Sequence, residues 1–178
     1  MRDSLRCKVI GAREGNWGGK RILKTLRGGL IGCGAIGKTF SDAIAQDSRM
    51  NLVAFCSRTK DKADKFCTVY GGEYSTTDAS AIFDDASIDA VYITTWHDSH
   101  ADLCIRAARA GKHIMVEKPL ALTVEECRAI GQAVKETGVK LMVAFKMRYY
   151  DMILKAKELI PDPILTDVRL EDRFEGIW

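Results

Sequence analysis

The chain has 178 residues, 47% of them hydrophobic and 29% charged, with a formal net charge of +3. That length allows one domain or slightly more, with enough apolar mass for a real core. The charge is uneven: residues 1–27 hold eight Lys or Arg against Asp3 and Glu14, a net of +6 (eight minus two). The remainder is therefore −3 (+3 minus +6), and it offers no basic face for nucleic acid.

Six cysteines (Cys7, Cys33, Cys56, Cys67, Cys104, Cys127) are scattered without a C-x-x-C pair. A body with a sizeable apolar core needs no disulfides, so reduced, mostly buried thiols in a cytoplasmic protein are expected. No run reaches the ~18 apolar residues of a membrane span, and the leader lacks the apolar core of a secretory signal. The leader is Arg-rich and acid-poor, but with one serine and poor amphipathic periodicity it reads as a disordered or mis-started extension over residues 1–25. Its stretch Lys8–Gly19 (KVIGAREGNWGG) imitates a glycine-rich turn. Arg13 stands where the second glycine should be, and a side chain there would block backbone approach to a pyrophosphate.

From residue 26 onward strand-like and helix-like patterns alternate. Leu26 to Ile31 is a short strand, weakened by Gly28-Gly29, that leads into a glycine loop. The following helix carries Ile36, Phe40, Ala43 and Ile44 at spacings that predict one apolar face. Asn51 to Cys56 (NLVAFC) is a buried strand, and Asp61 to Cys67 a helix with Thr59 as N-cap. Thr77 to Asp85 is a short helix and Asp89 to Thr94 (DAVYIT) a strand. Ser99 to Ala110 is a helix closed by Gly111, a residue suited to the left-handed position after a helix end. Lys112 to Val116 is a strand, and Thr123-x-x-Glu126 is a capping box opening a helix that stops at Gly138. Val139 to Phe145 (VKLMVAF) is the last strand of the series.

This rhythm of near-continuous apolar strands and helices predicts an α/β fold of Rossmann type, a doubly wound parallel sheet covered on both faces, over residues 26–148. After Arg148 a helix-like stretch (Tyr150 to Ile160) meets Pro161 and Pro163. Leu165 to Phe174 then alternates as a half-exposed strand would. Residues 149–178 therefore read as the start of an incomplete second α/β domain.

The stretch LIGCGAIGKTF (Leu30 to Phe40) satisfies two phosphate-loop patterns. Gly32, Gly34 and Gly37 spell G-x-G-x-x-G, the dinucleotide fingerprint, while Gly32-x4-Gly37-Lys38-Thr39 spells the loop of nucleoside triphosphatases. The second needs an acid at another strand's end to hold Mg²⁺, and none of the ends FCSR, YITTW, VEKP and VAFK closes a hydrophobic run with the Asp that role requires. The first needs a ribose-reading residue at the end of the second strand. Ser57 and Arg58 stand there, with no acid. An arginine fork suits the oxygens of a 2′-phosphate, and Lys62, one helical turn on, adds positive charge. Dinucleotide binding is the favoured reading, with NADP ahead of NAD.

The fifth strand runs into Glu117-Lys118-Pro119, in HIMVEKPLALTVEE. Together with GLIGCGAIG and ITTWHDSHADLCIRAARAGKH, this segment resembles the Gfo/Idh/MocA oxidoreductases, the glucose–fructose oxidoreductase and inositol dehydrogenase family. The resemblance runs from about Leu30 to Trp178. It implies a Rossmann domain followed by a second α/β domain that covers the nicotinamide and often mediates oligomers, so a homo-oligomer is among the expectations. It also implies that Gly32, Gly34 and Gly37 with Ala35 and Ile36 cradle the pyrophosphate, and that Thr94 and Thr95 line the cofactor. Glu117 would lie near the nicotinamide ribose and amide, Lys118 would touch the substrate hydroxyl being oxidised, and Arg148 would line the cleft. Trp96 and His97 replace the family's usual Pro-Asn; Trp96, stacked on the cofactor or walling the pocket, joins the expected cofactor site. His100, second member of the N-x-x-H pattern, joins it too.

The chemistry implied is hydride transfer between a nicotinamide and a sugar, cyclitol or related small polyhydroxy substrate, with Lys118 catalytic. A cation there stabilises a developing alkoxide. His97, His100 and Cys104 at i, i+3 and i+7 suggest zinc but lack a fourth ligand, so no metal is expected. The family's further Asp/His pair would come from a segment beyond Trp178. A non-catalytic NAD(P)-binding module, with neither nucleic acid nor membrane as partner, is the alternative. A methyltransferase is disfavoured, since E-K-P has no role in one.

Overall fold

A computed structural model describes residues 25–160. The basic leader up to residue 24, its imitation loop at Lys8–Gly19, and the stretch Leu165–Phe174 lie outside the described residues. Six strands, β1 (Leu26–Ile31), β2 (Met50–Cys56), β3 (Tyr74–Thr76), β4 (Ala90–Ile93), β5 (His113–Val116) and β6 (Leu141–Val143), form one sheet in the order β3-β2-β1-β4-β5-β6. Every pairing is parallel, as in the dinucleotide-binding doubly wound fold. Between them run α1 (Ala35–Ile44), α2 (Lys60–Tyr70), α3 (Ser80–Phe83), α4 (His100–Arg109) and α5 (Val124–Thr137), and α6 (Asp151–Leu159) follows the sheet.

Side chains alternate between two cores, except at the irregularity in β2, where the pairing skips Val53 and puts Leu52 and Phe55 on the same face. Leu30, Leu52, Phe55 and Tyr92 face α1 and α2, where Phe40, Phe66 and Tyr70 close over them. Ile31, Val53, Val91 and Ile93 face Leu103, Cys104 and Ala107 of α4 and Ile130 and Ala133 of α5. Burial on both faces explains why the strands read as continuous apolar runs. Phe55 is fully buried, its ring 6.0 Å from that of Tyr70 and 6.3 Å from that of Phe66. Truncating such a residue costs about 3–5 kcal/mol.

Two expectations change. First, β3 has no counterpart in the sequence reading, and the short helix expected over Thr77–Asp85 contracts to α3. Second, α1 does not bury Ile36 or Ala43: Ile36 is 47% exposed, and the inward positions are Gly37, Ser41 and Ile44. Gly37 leaves no room for a side chain where the helix meets the Gly32 oxygen, and Ser41 satisfies its hydroxyl by donating to the Gly37 carbonyl at 2.8 Å. Gly28-Gly29, expected to weaken β1, lies inside it at a register shift. A Cβ on Gly29 would sit 2.5 Å from Ile82 Cγ2, so close packing of α3 excludes a side chain there.

The capping box forms as expected. Thr123 Oγ1 accepts the Glu126 N–H at 3.1 Å and Glu126 Oε2 accepts the Thr123 N–H at 3.2 Å. Gly111 and Gly138 take left-handed φ of 74° and 72° after α4 and α5. Thr59 precedes α2 as expected, but its side chain makes no capping bond. Along 141–160 the chain presents Met142, Phe145, Tyr149, Met152 and Leu154 largely exposed, and α6 buries none of its residues among those described. No described helix is long and apolar enough to cross a membrane.

Candidate functional site

Because all six strands run one way, their carboxyl ends share one edge of the sheet. β1 hands over to α1 on one face and β4 to α4 on the other, so a crevice opens where these neighbouring strands diverge. The glycine loop fills the β1 side of that crevice. Gly32 holds φ at 114°, a value that disfavours any side chain. Its carbonyl accepts the Gly34 N–H at 3.0 Å. A Cβ on Gly37 would lie 2.2 Å from the Gly32 oxygen, so α1 can start only with a glycine there.

Gly34, by contrast, has no atom within 4 Å of where its Cβ would stand. It is the N-cap of α1, which has no side-chain cap and no acidic residue in its first turn. The unsatisfied N–H groups of a ten-residue helix therefore meet open space over a bare backbone. A pyrophosphate fits this cradle: the anion finds backbone donors at close range, and no side chain among the described residues competes for them.

Two neighbours sharpen the reading. Lys38 Nζ pairs with Asp42 at 2.7 Å on the exposed side, and Thr39 Oγ1 donates to the Ala35 carbonyl at 3.3 Å, so both lysine and threonine of the triphosphatase pattern turn away. Cys33, between the first two glycines, is buried with its Sγ 3.5 Å from the Cys56 carbonyl. Burial first, and the nearby Cys56 and Cys67 second, push its thiol up to about 12. It stays neutral beside the place an anion would take.

At the next strand end, the Ser57 N–H donates to the Thr76 carbonyl at 3.2 Å, tying β2 to β3. Arg58 and Lys62 are exposed and make no ion pair among the described residues. Lys60, between them, is held by Asp64 and Ser75. Thr76 and Ser75 are contributions that sequence reasoning misses, because three residues following Gly71-Gly72 carry no periodic signal.

Across the crevice, Thr94 follows β4, its N–H donating to the Ile31 carbonyl at 2.8 Å and its hydroxyl to the Gly32 carbonyl at 2.7 Å. Thr95 Oγ1 lies 2.7 Å from Ser99 Oγ. After β5, the Glu117 N–H donates to the Ile93 carbonyl at 2.9 Å, and Glu117 Oε2 accepts the Lys118 N–H at 3.0 Å. The Lys118–Pro119 bond is cis, and the Lys118 side chain is exposed. The residues expected at the site thus lie along one edge. A separate cavity of about 540 Å³, lined by Arg27, Asp47 and Glu73, opens at the opposite edge.

Residues 26–145 match the family model described as "Oxidoreductase family, NAD-binding Rossmann fold". The chain belongs to the Gfo/Idh/MocA family. It is similar to the inositol 2-dehydrogenase of Rhizobium meliloti, with 40% identity over 146 residues covering 82% of this chain and 44% of that protein. The scyllo-inositol 2-dehydrogenase (NAD(+)) of Bacillus subtilis is 32% identical over 161 residues, 90% of this chain and 41% of the relative. Among solved structures, the 3-ketoreductase KijD10 from Actinomadura kijaniata in complex with NADP and TDP-benzene superposes with a TM-score of 0.73 at 27% identity, covering 78% of this chain and 42% of that one. An NAD binding oxidoreductase from Klebsiella pneumoniae gives 0.71 at 32% identity, covering 76% and 38%. The chain therefore spans less than half the length of these Gfo/Idh/MocA relatives.

Within that family frame, two expected site residues stand differently. His100 is fully buried, with Nδ1–H donating to the Pro119 carbonyl at 2.7 Å and Nε2 3.2 Å from the Thr95 carbonyl. A side chain without exposed surface cannot touch a cofactor, so His100 instead braces the turn bearing Lys118 against the loop after β4. Arg148 sits in a single 3₁₀ turn, Lys146–Tyr149, and lines a groove with Met142, Phe145 and Tyr149 along the outer strand β6. It is three strands away from the glycine loop, about 14 Å at the usual strand spacing. Trp96 is 67% exposed, its ring edge-on to His97 with centroids 6.4 Å apart. Cys104 is buried and its thiol pushed up to about 12 by desolvation. With His97 exposed and both His100 and Cys104 inside, the i, i+3, i+7 spacing does not converge on a common point; no group of three possible ligands does so among the described residues.

Proposed function

We propose that this chain is the cofactor-binding part of an NAD(P)-dependent oxidoreductase acting on a sugar, cyclitol or related polyhydroxy compound. The observation that carries the reading is the open cradle at Gly34, a bare helix start between two glycines that the fold requires. Ala35 and Ile36 follow it in the first turn of α1 and would offer N–H groups to the pyrophosphate. Ser57, Arg58 and Lys62 would take the adenosine ribose, and the absence of an acid at that strand end favours a 2′-phosphate, hence NADP. Thr95, Trp96 and Glu117 would border the nicotinamide half.

A nicotinamide dinucleotide bound there supplies hydride acceptance and donation. Lys118 would place its ammonium against the substrate oxygen, donating a hydrogen bond that strengthens as negative charge develops there. Glu117 orders the same turn by accepting the Lys118 N–H, and His100 fixes its far side. The exposed apolar side chains along 141–160, with the cationic Arg148 between them, would meet a second domain beginning near residue 149. A small-molecule polyol, a homo-oligomeric assembly and a cytoplasmic setting complete the proposal. The free thiols Cys33, Cys56 and Cys104 accord with a reducing compartment.

The experiment is oxidation of a panel of sugars and cyclitols by the wild type and by Lys118→Ala, with cofactor affinity measured alongside. The lysine reading expects turnover to fall at least about a hundredfold with cofactor affinity unchanged. Equal turnover in both proteins would remove Lys118 from the chemistry. Cofactor binding without turnover on any member of the panel, in a protein extended through the second domain as well, would favour a non-catalytic NAD(P)-binding module.

A further inference from the structure

We propose that Thr94 is a positioning residue that holds the glycine loop in the shape a pyrophosphate requires, acting through the Gly32 carbonyl and not by touching the cofactor. The inference rests on the dinucleotide reading above. Its starting point is that the Thr94 hydroxyl has one proton and gives it to the Gly32 oxygen at 2.7 Å. No donor is left for a phosphate, so lining the cofactor, the role the resemblance implied, does not suit this side chain.

The same Gly32 oxygen is where the loop turns. It accepts the Gly34 N–H at 3.0 Å, and it is the atom a Cβ on Gly37 would strike at 2.2 Å. Thr94 itself excludes a side chain at Gly32, whose Cβ would lie 2.7 Å from the Thr94 carbonyl group and 2.9 Å from Oγ1. A Cβ on Gly37 would also come within 3.1 Å of that Oγ1. Two of the three fingerprint glycines are therefore small because Thr94 and the carbonyl it holds occupy the space. Only Gly34 is small toward the open side.

Thr94 is anchored independently of the loop, because its N–H is tied to Ile31 in register with β1. The hydroxyl thus acts from a fixed point on a carbonyl whose orientation sets the Gly34 N–H and the first turn of α1. Valine has nearly the same volume but would put a methyl against that carbonyl. The carbonyl would lose a partner and turn away, and the helix donors would turn with it.

The test is calorimetric titration of the full 178-residue chain with three ligands. NADPH carries pyrophosphate and 2′-phosphate, ADP-ribose carries pyrophosphate alone, and adenosine 2′-monophosphate lacks the pyrophosphate. Thr94→Val should weaken NADPH and ADP-ribose about tenfold and leave adenosine 2′-monophosphate unchanged, while Thr94→Ser should bind all three within about twofold of wild type. Should the valine variant fail to fold, Thr94→Ala removes the hydroxyl without the methyl clash and carries the same expectation. Wild-type affinity for NADPH in the valine or alanine variant overturns the inference, and so does an equal loss for all three ligands or a serine variant as weak as valine. A wild type that binds none of the three overturns the dinucleotide reading and the inference with it.

Discussion

Replacing Gly34 and Gly37 separately by alanine should split stability from binding. At Gly34 the backbone is extended, with φ −110° and ψ −166°, and nothing lies within 4 Å of the new Cβ. The folded chain accepts the methyl without strain, and the loss of unfolded-chain freedom makes Gly34→Ala neutral to about 0.5 kcal/mol more stable. At Gly37 the new Cβ would stand 2.2 Å from the Gly32 backbone oxygen, well inside any contact distance. Relief requires moving α1 against the sheet, and overpacking of that kind costs about 1–3 kcal/mol. Binding should rank the other way for Gly34: its methyl fills the space through which a pyrophosphate reaches the helix donors, and NADPH affinity should fall at least about tenfold. Urea unfolding with NADPH titration on each variant measures both quantities. A Gly34→Ala protein that binds NADPH like wild type would refute the placement of the pyrophosphate, whatever its stability.

Two further outcomes are expected. Arg58→Ala removes a cation with no ion-pair partner among the described residues, so stability should stay within about 0.5 kcal/mol while NADPH affinity falls about tenfold and NADH affinity holds; equal losses for both cofactors would refute the 2′-phosphate assignment. His100→Ala leaves the Pro119 carbonyl without its Nδ1–H donor and opens a void beside the Thr95 carbonyl, which should cost about 3 kcal/mol in urea unfolding. A change below about 0.5 kcal/mol would show that the brace contributes little.

The sequence carried the sheet because its strands are buried on both faces, which concentrates apolar residues at 52–56, 90–93 and 114–116. It carried the glycine loop because spacing alone encodes where the backbone must approach a ligand. The rotation of α1 was partly hidden: Phe40 and Ile44 pack inward as the periodicity expects, but the other inward positions are a glycine and a serine, and Ile36 faces solvent. β3 was hidden because a strand of three residues is fixed by its pairing with β2 and not by a pattern of its own. His100 illustrates a third limit. Its motif position is visible in the chain, but only the fold shows that its ring nitrogens meet two backbone carbonyls and that it supports the site from inside. Thr94 is the fourth case. A threonine after a strand reads as a ligand donor until the Gly32 carbonyl is found to hold its proton.

The central claim is that the edge formed by Gly34, Ser57 and Arg58 binds a nicotinamide dinucleotide, and titration of the 178-residue chain with NADPH and NADH, followed by nicotinamide fluorescence, tests it most directly. Saturable binding of both, with NADPH the tighter, is the expected result. Failure of both nucleotides to bind a folded chain would contradict the claim.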